Sequence, residues 1–195
     1  MNLDESFSEQ QVVNLSQSKI QDVETMRAEV AVWLKSMLGE DVPPDNLMGD
    51  LSTGEKLLYL AKSLQIIKYH TAPEQDQDIA NDLKQLEADE VKEDRDNARM
   101  VAKKRLNISK FLTFCSRVGV RRITLFESED ILLQRNEKQI LNCLLNLSKI
   151  FTKYGIEPPE MIKQEIEQEE AKLSSPRKGQ RNPEKEITSS RMSQV

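Results

Sequence analysis

Side chains able to do covalent or metal chemistry are scarce in this chain, and their spacing excludes most of what they could do. The only histidine, His70, has no cysteine or second histidine at ligand spacing and lies where an apolar segment passes into an acidic one, which argues against zinc. Gly54 stands alone in its segment with no Lys-Ser/Thr after it, so no phosphate cradle is written. The densest carboxylates, Glu165 to Glu170, run along a helical pattern instead of converging on an apolar pocket and read as a solvated face. Cys115 and Cys143 sit inside apolar helical patterns, where a thiol acts as a small buried hydrophobe. The expectation is therefore a chain that is not an enzyme, with no catalytic residue, no cofactor and no metal site.

Charge is the feature left to carry function. Between Thr71 and Asn97, ten acidic residues oppose three basic ones, leaving −7 in a chain whose overall charge is −5. The sign then reverses: Arg99, Lys103, Lys104, Arg105, Lys110, Arg117, Arg121 and Arg122 place +8 between Arg99 and Arg122 with no acid among them. Such a surface would steer an acidic partner toward it and add salt-sensitive affinity. The competing reading is a solvated face that only pairs with the acidic stretch, and exposed ion pairs of that kind stabilise little. Nucleic acid is disfavoured as a partner by the overall acidity and the lack of exposed aromatic stacking groups.

The elements that must hold these charges are helical. Six Gly and seven Pro in 195 residues are roughly half the usual share of about 12%, too few for a turn-rich sheet protein. Val23, Met26, Val30, Trp33, Leu34 and Met37 form an i, i+3, i+4 stripe over about Asp22 to Leu38, stopped by Gly39, and Pro43-Pro44 force an extended turn. Ser52 and Glu55 have capping-box spacing before a stripe of Leu57, Leu60, Ala61, Leu64 and Ile67; Gly54 inside that first turn implies a second backbone passing close by. In the acidic stretch, Ile79, Leu83 and Leu86 allow only a marginal helix, read as part of a partly disordered surface insertion. Asn107 is expected to cap a helix carrying Ile108, Phe111, Leu112, Cys115 and Val118, ended by Gly119. A short element buries Leu125, Phe126 and Ile131. Asn136 then caps the most apolar helix, with Ile140, Leu144, Leu147, Phe151 and Tyr154 as its seam and Gly155 at its end.

The expected organisation is an N-terminal segment 1–21, mostly disordered, a body over 22–158 with the insertion 71–97, an acidic helix 159–173 with Ile162, Ile166 and Leu173 on a narrow stripe, and a disordered basic tail 174–195. Without the insertion the body holds 110 residues, enough for one helical core. In the tail, Ser175-Pro176 offers a proline-directed kinase site. The start of the chain is polar and acidic, unlike a secretory signal, and no apolar run approaches the ~20 residues of a membrane span, so a cytoplasmic protein with no membrane contact is expected.

Taken together, these pieces resemble a calponin-homology domain. The residues that carry the likeness are Trp33 in the first long helix, the pattern Asp50, Leu51, Gly54, Leu57, and the set Asn107, Phe111, Phe114, Cys115, Gly119, Val120. Leu125-Phe126-Glu127-Ser128, Cys143-Leu144-Leu145 and Tyr154-Gly155-Ile156-Glu157-Pro158-Pro159 narrow it to the growth-arrest-specific type-two family, whose members link actin filaments to microtubules. The likeness covers about residues 22–170. It implies an all-α, single calponin-homology-like helical domain that acts on the cytoskeleton and binds filamentous actin, possible further cytoskeletal partners, and a monomeric state. The basic residues Lys103, Lys104, Arg105, Lys110, Arg117, Arg121 and Arg122 are the expected contact. The alternatives are a signalling or scaffold adaptor built on the same fold, or a microtubule-associated protein.

Overall fold

The computed structural model describes residues 22–72, 79–87 and 97–174, and among them only helices and turns occur. The predicted first helix is α1 (22–38), with Met26, Val30, Trp33 and Leu34 buried along the expected stripe. It ends where Gly39, at φ +71°, donates its N–H to Lys35 O at 2.9 Å. A 3₁₀ turn at Pro44–Asn46 leads into α2 (Leu47–Leu51) and then α3 (Glu55–Thr71), which buries Leu57, Leu58, Leu60, Ala61 and Leu64. Within the acidic insertion lies α4 (Ile79–Gln85), followed by α5 (Asn97–Val118), a 3₁₀ turn at Arg122–Thr124, α6 (Ser128–Leu132), α7 (Glu137–Phe151) and α8 (Glu160–Ser174).

The apolar faces close around α7, where Ile140, Leu141, Cys143, Leu144, Leu145, Leu147 and Phe151 are all buried. Each such side chain contributes about 1.5–3 kcal/mol of transfer free energy, so this helix dominates the interior. Phe114 of α5 stacks on Phe151 with centroids 6.3 Å apart, and Phe111 lies 6.3 Å from Phe126. α3 packs chiefly on α5. A fork of two hydrogen bonds from Arg27 to Glu137, the longer at 2.8 Å, ties α1 to the start of α7.

Several local expectations gave way to tertiary packing. No capping box forms at Ser52: its Oγ donates to Gly49 O at 2.7 Å, the Glu55 N–H bonds Thr53 Oγ1 at 3.3 Å, and Gly54 itself is the N-cap at φ +75°. The cause is the close passage of α5. A Cβ on Gly54 would sit 2.7 Å from Asn107 Cβ and 3.0 Å from Ile108 N, so the backbone approach inferred from this glycine is real. Asn107 is not a cap either. It lies in the middle of the 22-residue α5, fully buried, and its Nδ2 donates to Thr53 O at 3.2 Å, joining the two segments.

Asn136 is the N-cap of α7 as expected, but in a left-handed conformation, φ +52°, and its side chain makes no capping bond; its Nδ2 donates to Asp130 Oδ1 at 2.7 Å. Asp130, which nothing in the sequence marked, is the hub of the α6–α7 link: its Oδ2 also accepts the Glu127 N–H at 2.9 Å, which satisfies a carboxylate that is only 6% exposed. Leu125 is half-buried, while Phe126 and Ile131 are buried as expected. Packing divides the chain after Lys163, within α8. Ile162, on the first side of that division, is buried. The ends 1–21 and 175–195, with Ser175, lie outside the described residues.

Candidate functional site

The basic cluster does not form one open surface. Lys103, Lys110 and Arg117 recur every seven residues on α5, so they lie on one face about 10 Å apart. Two of them face the acidic insertion. Arg117 Nη1 bonds Asp82 Oδ1 of α4, and Lys110 Nζ donates to Glu87 O at 2.8 Å. Lys103, half-buried, is not free. Asp82 Oδ2 also accepts Gln65 Nε2 of α3 at 3.1 Å, and Leu86, 2% exposed, anchors the insertion next to a cavity of about 370 Å³ lined by Lys110, Phe114 and Arg117. The described part of the insertion is thus docked on α3 and α5, a tighter association than so thin an apolar stripe predicted. One buried leucine and a carboxylate shared by two helices supply what the stripe lacks.

Arg105 points elsewhere on α5, to Glu129 of α6, with Nε donating to Oε1 at 2.7 Å. That bond is what holds its guanidinium in the charged form even more firmly than usual. Lys104, Arg121 and Arg122 make no side-chain hydrogen bond or ion pair among the described residues, and the two arginines are exposed. Both belong to the turn after Gly119, whose φ of +106° ends α5. This turn is fixed: Thr124 N–H and Thr124 Oγ1 both donate to Arg121 O, at 2.9 and 2.7 Å, and Gln139 Nε2 of α7 donates to Ile123 O at 2.9 Å and Leu125 O at 3.1 Å. Of the seven residues expected at the contact, then, Lys110 and Arg117 meet the insertion, Arg105 meets α6, and Arg121 and Arg122 stand out on a rigid corner. The sequence carried a signal for the insertion's role in its sign reversal, but none for Asp82 in particular.

The two cysteines are both fully buried in the core, and burial, with a hydrogen bond to Cys143, pushes the Cys115 thiol well above its ordinary range. No described helix is long and apolar enough to cross a membrane.

The described residues thus form a helical arrangement around a buried central helix, with charged side chains on its surface. Residues 24–153 match the calponin homology (CH) domain family, and the chain belongs to it. The fold agrees with the calponin-homology domain of Rng2 from Schizosaccharomyces pombe, with a TM-score of 0.51 at 21% identity over 75% of this chain and 89% of that one. Among curated proteins it is similar to GAS2-like protein 2 of Mus musculus, 28% identical over 78% of this chain and 18% of that protein. It is likewise similar to GAS2-like protein 1 of Homo sapiens, 28% identical over 75% of this chain and 21% of the other. The domain is of the type found in the growth-arrest-specific type-two family, and the chain spans about a fifth of the length of these relatives.

Proposed function

We propose that this chain is a non-enzymatic cytoskeletal binding module that attaches to filamentous actin through the cationic corner formed by Arg121 and Arg122. Family membership and the GAS2-like relatives support a cytoskeletal role. The observation that carries the choice of surface is that Arg121 and Arg122 are exposed, without partners among the described residues, on a turn whose backbone is already ordered. A filament presents acidic patches in repeat, and two cations on an ordered backbone meet such a patch without the further cost of ordering the loop.

Lys110 and Arg117 join the contact only when the insertion yields them. The Arg117–Asp82 ion pair is partly solvent-exposed, worth about 0.2–1 kcal/mol and screened by salt, and the Lys110 bond to the Glu87 carbonyl is exposed as well. The reading accordingly includes a filament surface that the insertion tunes, in a protein acting in the cytoplasm.

Co-sedimentation with actin filaments tests it. At low salt the wild-type chain pellets with filaments, and Arg121→Glu with Arg122→Glu lowers the affinity about tenfold, or about 1.4 kcal/mol. Both positions are exposed, so the fold is spared. Reversing Lys103, Lys104 and Arg105 together is a poorer probe, because Arg105 braces α5 against Glu129. Unchanged pelleting of the double variant removes the corner from the mechanism. Absence of wild-type pelleting at every salt concentration favours the scaffold-adaptor reading.

A further inference from the structure

A groove of about 450 Å³ runs between α1 and the chain entering α8. Its α1 wall is the row Ala28, Val32, Ser36, one residue every fourth position and hence one helix face, with Val32 70% exposed between two small side chains. The opposite wall is Pro158-Pro159, whose fixed φ and missing N–H groups make it stiff and free of backbone donors. Glu29 Oε2 accepts the Met161 N–H at 2.8 Å and pins the two walls together.

The rim carries Glu29, Glu157 and Glu160 against Lys163 alone. Lys163 is shared between Glu157 at 2.6 Å and Glu160 at 3.5 Å, so the rim keeps a formal −2. Its chemistry asks for one apolar side chain flanked by two cations on an ordered backbone, and it repels anionic ligands.

The same chain presents that element elsewhere. Ile123 is 81% exposed at the tip of the corner, next to Arg121 and Arg122. Its turn is held by Thr124 and Gln139, so a +2 charge and an apolar anchor project from a prepared scaffold. We infer that the groove receives the Arg121–Ile123 turn of a second copy of this chain, with Ile123 on Val32 and Pro158 and the arginines at Glu157 and Glu160.

The contact joins two different patches: reciprocal insertion closes an isologous two-fold dimer, and one-way insertion is heterologous and builds a ring or an open string. One apolar anchor in a charged rim gives a weak, salt-sensitive association, with a dissociation constant of about 0.1–1 mM. The inference stands apart from filament binding, although the two compete for the same arginines.

Sedimentation equilibrium of the full chain, loaded up to about 1 mM, reads the outcome. The weight-average mass rises with concentration at low salt and falls back when salt is added. Val32→Glu and Ile123→Ser each return the chain to the monomer mass. Their positions are exposed, so thermal melts followed by circular dichroism stay as in the wild type. Mixing the two variants restores part of the association, since one keeps an intact turn and the other an intact groove. A monomer at every concentration overturns the inference, and so does self-association that survives both substitutions.

Discussion

Replacing Gly54 by alanine tests how α3 and α5 are held together. At φ +75° an L-residue costs about 1–2 kcal/mol in backbone strain. The new Cβ would also stand 2.7 Å from Asn107 Cβ and 3.0 Å from Ile108 N, where carbon contacts prefer about 3.5–4.0 Å. Neither neighbour is the tip of a flexible side chain, so no rotamer change relieves the overlap. The helices must part by about 1 Å, at an overpacking cost of about 1–3 kcal/mol. The Asn107 Nδ2 bond to Thr53 O, already 3.2 Å long, stretches with them. The sum is about 2–5 kcal/mol, a large part of the about 5–15 kcal/mol that a domain of this kind possesses.

Gly39→Ala supplies the control. Gly39 has φ +71°, nearly the same backbone conformation, and nothing within 4 Å of its added Cβ. It pays the strain alone. Urea denaturation followed by far-ultraviolet circular dichroism gives both values, and the difference between the variants isolates the inter-helix contact at about 1–3 kcal/mol. Equal midpoints for the two variants would refute the claim that close approach, and not conformation alone, requires glycine at position 54.

Three further outcomes follow from the same contacts. Asp82→Asn removes the charge that holds Arg117 while leaving an amide oxygen for Gln65, and filament pelleting at low salt rises about two- to fivefold, the equivalent of one exposed ion pair; no rise means that the insertion does not tune the surface. The Lys163 ammonium, bonded to Glu157, holds that carboxyl below the usual carboxylate range, so the pair's small contribution is present above the ordinary carboxylate pKa and is lost as pH falls through the lowered value. Lys163→Met raises the Glu157 midpoint toward its ordinary value in a side-chain carboxyl NMR titration, and an unmoved midpoint contradicts the assignment. Cys115 and Cys143 resist alkylation by iodoacetamide at neutral pH in the folded chain and react in urea, because burial keeps Cys115 as the thiol; fast labelling of the native protein would place it at the surface.

How much of this was legible beforehand depended on the range of the interaction. The stripes of α1, α3 and α7 were readable because a buried helix face repeats its apolar residues every three or four positions, a signal summed over many turns. Gly39, Gly119 and Gly155 marked true ends, since each stop needs a left-handed residue at that one place. Ser52 and Asn107 are not N-caps, and Asn136 holds the N-cap position of α7 without a side-chain capping bond, because such a bond is worth about 1 kcal/mol and is easily outweighed by a tertiary contact. Asn107 was claimed by Thr53, 54 positions away, and Asn136 by Asp130.

For the surface, the sequence by itself determined an all-helical chain of one apolar core and the amount and sign of the charge on either side of position 97. Only the tertiary structure decided which cations remain available. Arg105 and Arg117 have their partners 24 and 35 residues distant, on helices whose adjacency no local pattern encodes. Apolar burial is non-directional and averages over a whole face, so it survives in a one-dimensional pattern. An ion pair requires two particular atoms within 4 Å, and that distance is set only when the helices have closed on one another.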